Sequence, residues 1–483
     1  MDYVIQGYRP ASLFRFFEDI SRIPRSSGNE KAVSDYLVDF AAARGLECIR
    51  DELYNVLLRK PASPGCENRP GVLFQGHLDM VCEKNADVDH NFDTEPLDLY
   101  VENGRLRARG TTLGADNGGA VAMMLALLDD NSLIHPPLEC LFTVQEETAL
   151  VGASHFDASI LRSAMMVNLD SEEDGVVTTS CAGGLRVKLI RPYRREAFEG
   201  AALHLFVKGL AGGHSGMEIH KELGCANKIM GRVLYALSEK TDLRIREIFG
   251  GNKDNAIPRE CQCVVVLRPE DLPAALETVR QTEADLRREY QETDPGVTVL
   301  AREVPSRQSP MSREDSRNII RQMMLAPHGV LKTNPKAGGF VVASVNFGVI
   351  QMEEDCVIFH FSPRSSVESL QNETRRILRL FGETFGDRVE MGDGYPGWPY
   401  EPHSRLRDTF CQVYEELYGV PPKMEAIHAG LECGLIKSKA PQLDIIAIGA
   451  TVVGCHTPDE YMDLRSCENL WKQVTALLER LAR

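Results

Sequence analysis

Residues 71–84, GVLFQGHLDMVCEK, open as a buried strand and close as a candidate chemical site. Gly71 to Phe74 is an apolar run of the kind a central strand carries, and His77, Asp79 and Glu83 follow it. Four more places end a strand or enter a turn with residue types that ligate metals. They are Asp116 in GADNGG, the Glu146–Glu147 pair in TVQEET, Asp170 in VNLDSE and His456 in GCHTPDE. In an open α/β sheet, side chains at the carboxyl ends of strands converge on one crevice. Two histidines with three or four carboxylates make a mixed nitrogen and oxygen site, suited to zinc and also to manganese or cobalt. Singly, each residue has a plainer reading: a loop histidine, a helix N-cap at Asp116, a solvated strand edge at Glu146–Glu147, a turn at Asp170. The set tells more than its members, because charge after an apolar strand requires a partner or water.

The elements that must position these residues alternate in type. Val33, Tyr36, Leu37, Phe40 and Ala41 repeat at helical spacing and stop at Gly45, a good C-cap. A strand at 71–75 follows, then a largely buried helix from Gly118 to Leu128, entered through the turn GTTLGADNGG. Leu138 to Gln145 and Met165 to Leu169 read as further strands. Such alternation favours a sheet with helices on its faces. From about 186 the rhythm restarts with GLRVKLI and ALHLFVKGL, a helix-like stretch at 216–238, and strands in AIPRECQCVVVLR, FVVASVNFGVIQM and CVIFHFSPR. GDGYPGWPYEP, at 392–402, reads as a linker. A buried strand DIIAIG and a terminal helix capped by Ser466 close the chain. The reading is one α/β domain, 1–185 plus 400–483, interrupted by an α+β insertion at 186–399.

At 483 residues, two domains are the default expectation. The net charge of -16 argues against nucleic acid, since phosphate binding needs a basic stripe that is not found here. No secretory signal is read at the N-terminus, and no segment approaches the roughly 20 apolar residues of a membrane span. The 13 cysteines are odd in number, scattered and without a CxxC pair, which fits reduced thiols in a cytoplasm.

QGHLDMV, GADNGG, QEET, NLDSE and GCHTPDE, in this order, resemble the di-zinc aminopeptidase, aminoacylase and carboxypeptidase superfamily. Within it the whole chain is similar to the aminoacyl-histidine (Xaa-His) dipeptidases, and AGLECG at 429–434 is particularly like that subgroup. The resemblance implies a zinc-peptidase-like catalytic domain with a mixed central sheet, an inserted lid that also dimerises, and two Zn2+, with Co2+ or Mn2+ as substitutes. It implies that Asp116 bridges the ions, with His77 and Asp170 on one and Glu147 and His456 on the other. Asp79 would accept the remaining N–H of His77 and fix its tautomer. The Asp116–Asn117 peptide resembles one that is cis in relatives.

The residues alone do not choose a general base between Glu146 and Glu147; the family pattern assigns Glu146, activating a metal-bridging hydroxide. In the insertion, the resemblance gives His214 to the oxyanion, Asn255 to the substrate carbonyl, and Arg364 with the Gly430 N–H to the terminal carboxylate. The plainer readings are a helix-start histidine at 214 and an exposed strand-end arginine at 364; His428 is given no role. The expected function is a cytosolic dipeptidase acting as a homodimer. The alternatives are a tripeptide aminopeptidase, an N-acyl-amino-acid deacylase, or a non-catalytic zinc-binding relative.

Overall fold

The computed structural model describes residues 3–305 and 308–483. The chain divides into two compact units: Met1–Cys181, Trp398–Ala426 and Leu431–Arg483 form the first, and Ala182–Gly397 with Ile427–Gly430 the second. The stretch 427–430 thus stands in the second unit, whereas the sequence reading assigns it to the first.

In the first unit, helix α1 (Lys31–Arg44) buries Val33, Leu37, Phe40 and Ala41 and ends where Gly45 turns left-handed. The strands β1 (Glu47–Arg50), β2 (Val56–Lys60) and β3 (Val72–His77) lead to helix α2 (Ala115–Asp129). They are followed by β4 (Leu138–Thr143), β5 (Met165–Asn168) and β6 (Val176–Cys181). The returning chain adds β7 (Lys423–Ile427), helix α3 (Glu432–Lys439), β8 (Asp444–Ala447) and the terminal helix α4 (Leu464–Ala482).

The strands form one mixed sheet in the order β1-β2-β4-β3-β5-β8-β6-β7. β3 lies parallel to both β4 and β5, with His77 opposite Thr143 and Gln75 opposite Asn168. Every residue of these three strands is buried, as expected where both faces of a parallel sheet are covered. Their carboxyl ends therefore open at one edge, and that edge receives His77, the Glu146–Glu147 turn and Asp170.

Local structure departs from the sequence reading at four places. Helix α2 starts at Ala115, three residues early, and keeps non-helical dihedrals at Asp116 and Asn117, whose shared peptide is cis. Its N-cap is Gly114, in the left-handed region, so Asp116 is not a cap. The cap of α4 is Asp463, whose carboxylate accepts the Ser466 N–H at 2.9 Å, because the chain turns helical at Leu464, two residues before the serine. The helix expected over 216–238 is a short 3-10 turn, Ile219–Lys221, and then Ala226–Ser238; between them Glu222 adopts a positive φ of 54° and stops the first turn. The segment 392–402 is not a free linker either, since Tyr395 bridges Gly184 in the second unit and buried Trp398 bridges Cys181 in the first.

The second unit is built on an antiparallel sheet whose main path runs 298–304, 201–208, 261–267, 244–250, 340–352, 356–365, 187–192 and 388–391. Helices 226–238, 272–289, 313–325 and 368–385 accompany it. Each unit has its own apolar core, one around Phe74, Phe142 and Leu125, the other around Phe347, Val265 and Leu234.

Candidate metal centre

At the carboxyl edge of the first unit's sheet, the carboxylate of Asp116 stands between two imidazoles. Its Oδ1 lies 3.1 Å from Nε2 of His77 and its Oδ2 3.3 Å from Nε2 of His456. Asp170 Oδ1 is 3.6 Å from His77 Nε2, and Glu147 Oε1 is 3.0 Å from His456 Nε2. Two trios result, His77–Asp116–Asp170 and Asp116–Glu147–His456, each able to place three donor atoms around one ion. Both imidazoles are dominated by the acids around them. Burial alone would lower His77, but Asp170, Asp116 and Asp79 outweigh it and raise it well above the ordinary value. His456 is pushed up to about 10 by its hydrogen bonds to Asp116 and Glu147. An anionic surplus that holds protons so firmly would attract a divalent cation in the same way, and the nitrogen and oxygen donors fit one.

Glu146 stands beside the trios, grouped with His77 and Glu147. Strand β4 ends at Thr143, and Gln145 turns to a positive φ of 50°, so the two glutamates leave the extended strand geometry that would aim them oppositely. Burial, reinforced by Asp170, Glu432 and Glu147, raises Glu146 well above the usual carboxylate range.

Asp79 sits behind His77, as expected, though Nδ1 lies nearer the Asp79 main-chain oxygen, at 3.1 Å, than the carboxylate, at 3.4 Å. That carboxylate also accepts the main-chain N–H of Glu146 at 3.0 Å and of Glu147 at 3.3 Å, and the Ser27 hydroxyl at 2.8 Å. Asp79 therefore shapes the turn that carries both glutamates.

Several supporting residues were not singled out in the sequence. Glu460, buried, accepts the main-chain N–H groups of Leu113, Gly114 and Ala115 at 2.7–3.0 Å, with that of Asp116 at 3.4 Å. It thereby ties the loop of His456 to the turn of Asp116. Arg25, also buried, donates to the carbonyls of Leu78 at 2.9 Å and Gly114 at 2.5 Å, tying the segment after His77 to the turn of Asp116. Asn117 accepts the His77 N–H at 3.2 Å, and Gly76 leaves it room, since a Cβ there would overlap the amide.

The second unit gathers the other candidates. His214 pairs with Ala256 in a two-residue bridge, and Ser215 donates to the Asn255 carbonyl at 2.8 Å, which holds 214 and 255 side by side. Arg364 is 8% exposed, donates to Tyr395 Oη at 3.2 Å and keeps its Nε without a partner. The exposed strand-end reading of that arginine therefore fails. Gly430 packs so closely on the Tyr395 ring that a Cβ would approach it to 2.8 Å. His428 is buried, with Nε2 2.7 Å from Ser344 Oγ.

The model of peptidase family M20/M25/M40 matches residues 73–480. Over 98% of both chains, the sequence is 36% identical to the cytosol non-specific dipeptidase of Escherichia coli (strain K12). The structure is similar to that of aminoacylhistidine dipeptidase from Vibrio alginolyticus, with a TM-score of 0.95, 37% identity and coverage of 98% of this chain and 97% of that one. It shares its fold with aminopeptidase PepT from Bacillus cereus at a TM-score of 0.58 and 14% identity, over 99% of this chain and 100% of the other.

Proposed function

This chain belongs to the M20/M25/M40 peptidases, and on that premise we propose that it is a metal-dependent dipeptidase cleaving short peptides such as Xaa-His dipeptides. The observation that carries the reading is the Asp116 carboxylate, one oxygen turned to each of two histidines brought from positions 77 and 456. In this reading His77, Asp116 and Asp170 would hold one Zn2+, and Asp116, Glu147 and His456 the other, with Co2+ or Mn2+ as substitutes; bound there, such ions would supply Lewis acidity toward the scissile carbonyl and water.

The remaining roles belong to the chain. Glu146 takes the proton from the attacking water and returns it to the leaving amine, a task suited by a carboxyl that burial holds above its usual range. Asp79 fixes the His77 tautomer and the 146–147 turn. His214 donates to the oxyanion and Asn255 to the substrate carbonyl. Arg364, a buried guanidinium with a spare donor, receives the terminal carboxylate together with the Gly430 N–H.

The second unit acts as the lid and as the dimerisation domain of a homodimer. Its sheet ends on 298–304, an edge strand with exposed Leu300, which is open to pairing. We place the protein in the cytoplasm: among the described residues no helix is long and apolar enough to cross a membrane, and the E. coli relative is a cytosolic enzyme by name.

The test is a panel of dipeptides, β-alanyl-histidine and N-acyl amino acids, run on chelated protein with and without added zinc, cobalt or manganese. Dipeptide hydrolysis that is lost on chelation and restored by metal is expected. Restored cleavage of acyl amino acids alone would make the protein a deacylase. Unchanged turnover in protein shown to be metal-free by elemental analysis would remove the metal from the mechanism.

A further inference from the structure

The acidic residue of the AGLECG segment holds no position in the proposed metal centre beyond its charge acting on Glu146. Glu432, at the start of α3, is 0% exposed. Its Oε2 accepts from the Gln75 amide at 2.5 Å and from the Thr143 hydroxyl at 2.6 Å, while Oε1 has no partner. Burying a carboxylate without a cation costs several kcal/mol, so stability alone would favour a neutral residue here.

The hydrogen bonds beyond Gln75 show what an acceptor at 432 secures. The Asp170 main-chain N–H, a donor by nature, points to Asn168 Oδ1 at 3.2 Å. Asn168 must then turn its amide nitrogen to Gln75 Oε1, at 2.6 Å. Gln75 is left presenting its own nitrogen to Oε2 of Glu432, an oxygen that accepts from it and from Thr143. Gln75, Asn168, Thr143 and Glu432 are all 0% exposed. Gln75 and Asn168 face each other in register; His77 lies two residues beyond Gln75 on the same face of its strand, and Asp170 lies two residues beyond Asn168, past the end of its strand. Thr143 lies in register with His77.

We propose that Glu432 is a positioning residue of the metal centre. As the terminal acceptor of a buried one-way hydrogen-bond chain, it sets the amide orientations beneath His77 and Asp170. Without it the Gln75 and Asn168 amides can turn over, and the support of the Asp170 main chain goes with them. The inference rests on the metal-centre reading above.

Reversing the chain tests it. Gln75→Glu keeps size and sets a carboxylate against a carboxylate. Metal affinity and kcat/KM are expected to fall about 10–100-fold, the range of outer-sphere partners. Gln75→Glu combined with Glu432→Gln restores a donor facing an acceptor, and most of the loss should be recovered; a purely structural role for Glu432 would not give this rescue. Glu432→Leu should lose as much as Gln75→Glu. Far-UV circular dichroism confirms folding of each variant. A double variant no better than Gln75→Glu overturns the proposal, as does Gln75→Glu with parental metal affinity and turnover. If the parent binds metal, those results count against this inference alone. A parent that takes up no divalent ion removes the metal-centre reading and this inference with it.

Discussion

The candidate-site histidines of the two units are shifted in opposite directions. His77 and His456, among Asp116, Glu147 and Asp170, are raised, the latter to about 10. His214 and His428 in the second unit are lowered, first by burial and then by Arg364, His428 to about 3. Acids predominate around the first pair, whereas a buried guanidinium, that of Arg364, acts on both members of the second. Each region fits a ligand of the opposite sign, which is what a metal-dependent peptidase acting on peptides with a free carboxylate requires. Under the proposed function the contrast would separate the roles, with residues of the first unit serving metal and turnover and those of the second serving substrate binding.

Four outcomes would break or sharpen that division. Glu146→Ala should lower kcat by about 10²–10⁴-fold while metal content by elemental analysis stays at the parental level; normal dipeptide turnover would place the base elsewhere. Arg364→Ala should raise KM for dipeptides about 10²-fold, roughly 2–3 kcal/mol for a charge-assisted pair, again with full metal content. A fall in metal content instead would dissolve the distinction between the units.

His428 offers a pH test. Its imidazole stays neutral in the fold down to about 3, against an ordinary 6.5. Between these values the unfolded chain binds the proton and the folded one does not. The stabilisation is therefore complete above 6.5 and declines as pH falls, by up to about 1.4 kcal/mol per unit. Urea midpoints at neutral and mildly acidic pH should consequently drop further in the parent than in His428→Gln; equal drops would show that this histidine titrates normally. The smallest effect is a control outside both regions. Asp463→Ala, which removes the cap of α4, should cost about 1 kcal/mol of stability and leave metal content and KM untouched.

Much of the metal centre was legible because ligand types sit directly after apolar strands, and parallel strands deliver their ends to one edge. His77 and Asp170 meet at that edge as this logic expects, while Asp116, from a helix start, joins them to the trio with Glu147 and His456. The supporting layer was not legible. Arg25, Glu432 and Glu460 are single charges in short loops or at a helix start, and sequence cannot tell a buried carboxylate from a solvated one. The interruption at 219–226 depends on a left-handed Glu222, a conformation that glutamate does not advertise. The return of 427–430 to the second unit involves four residues, too few to carry any periodic signal.

Glu460 grips the turn that presents Asp116 across an interval of 344 residues in the chain. During synthesis, the ribosome must pass both His456 and that glutamate before the shared aspartate is seated. Assembly of these candidate ligands would then follow translation of both segments, and an arrested product would lack the carboxylate that holds the Asp116 turn.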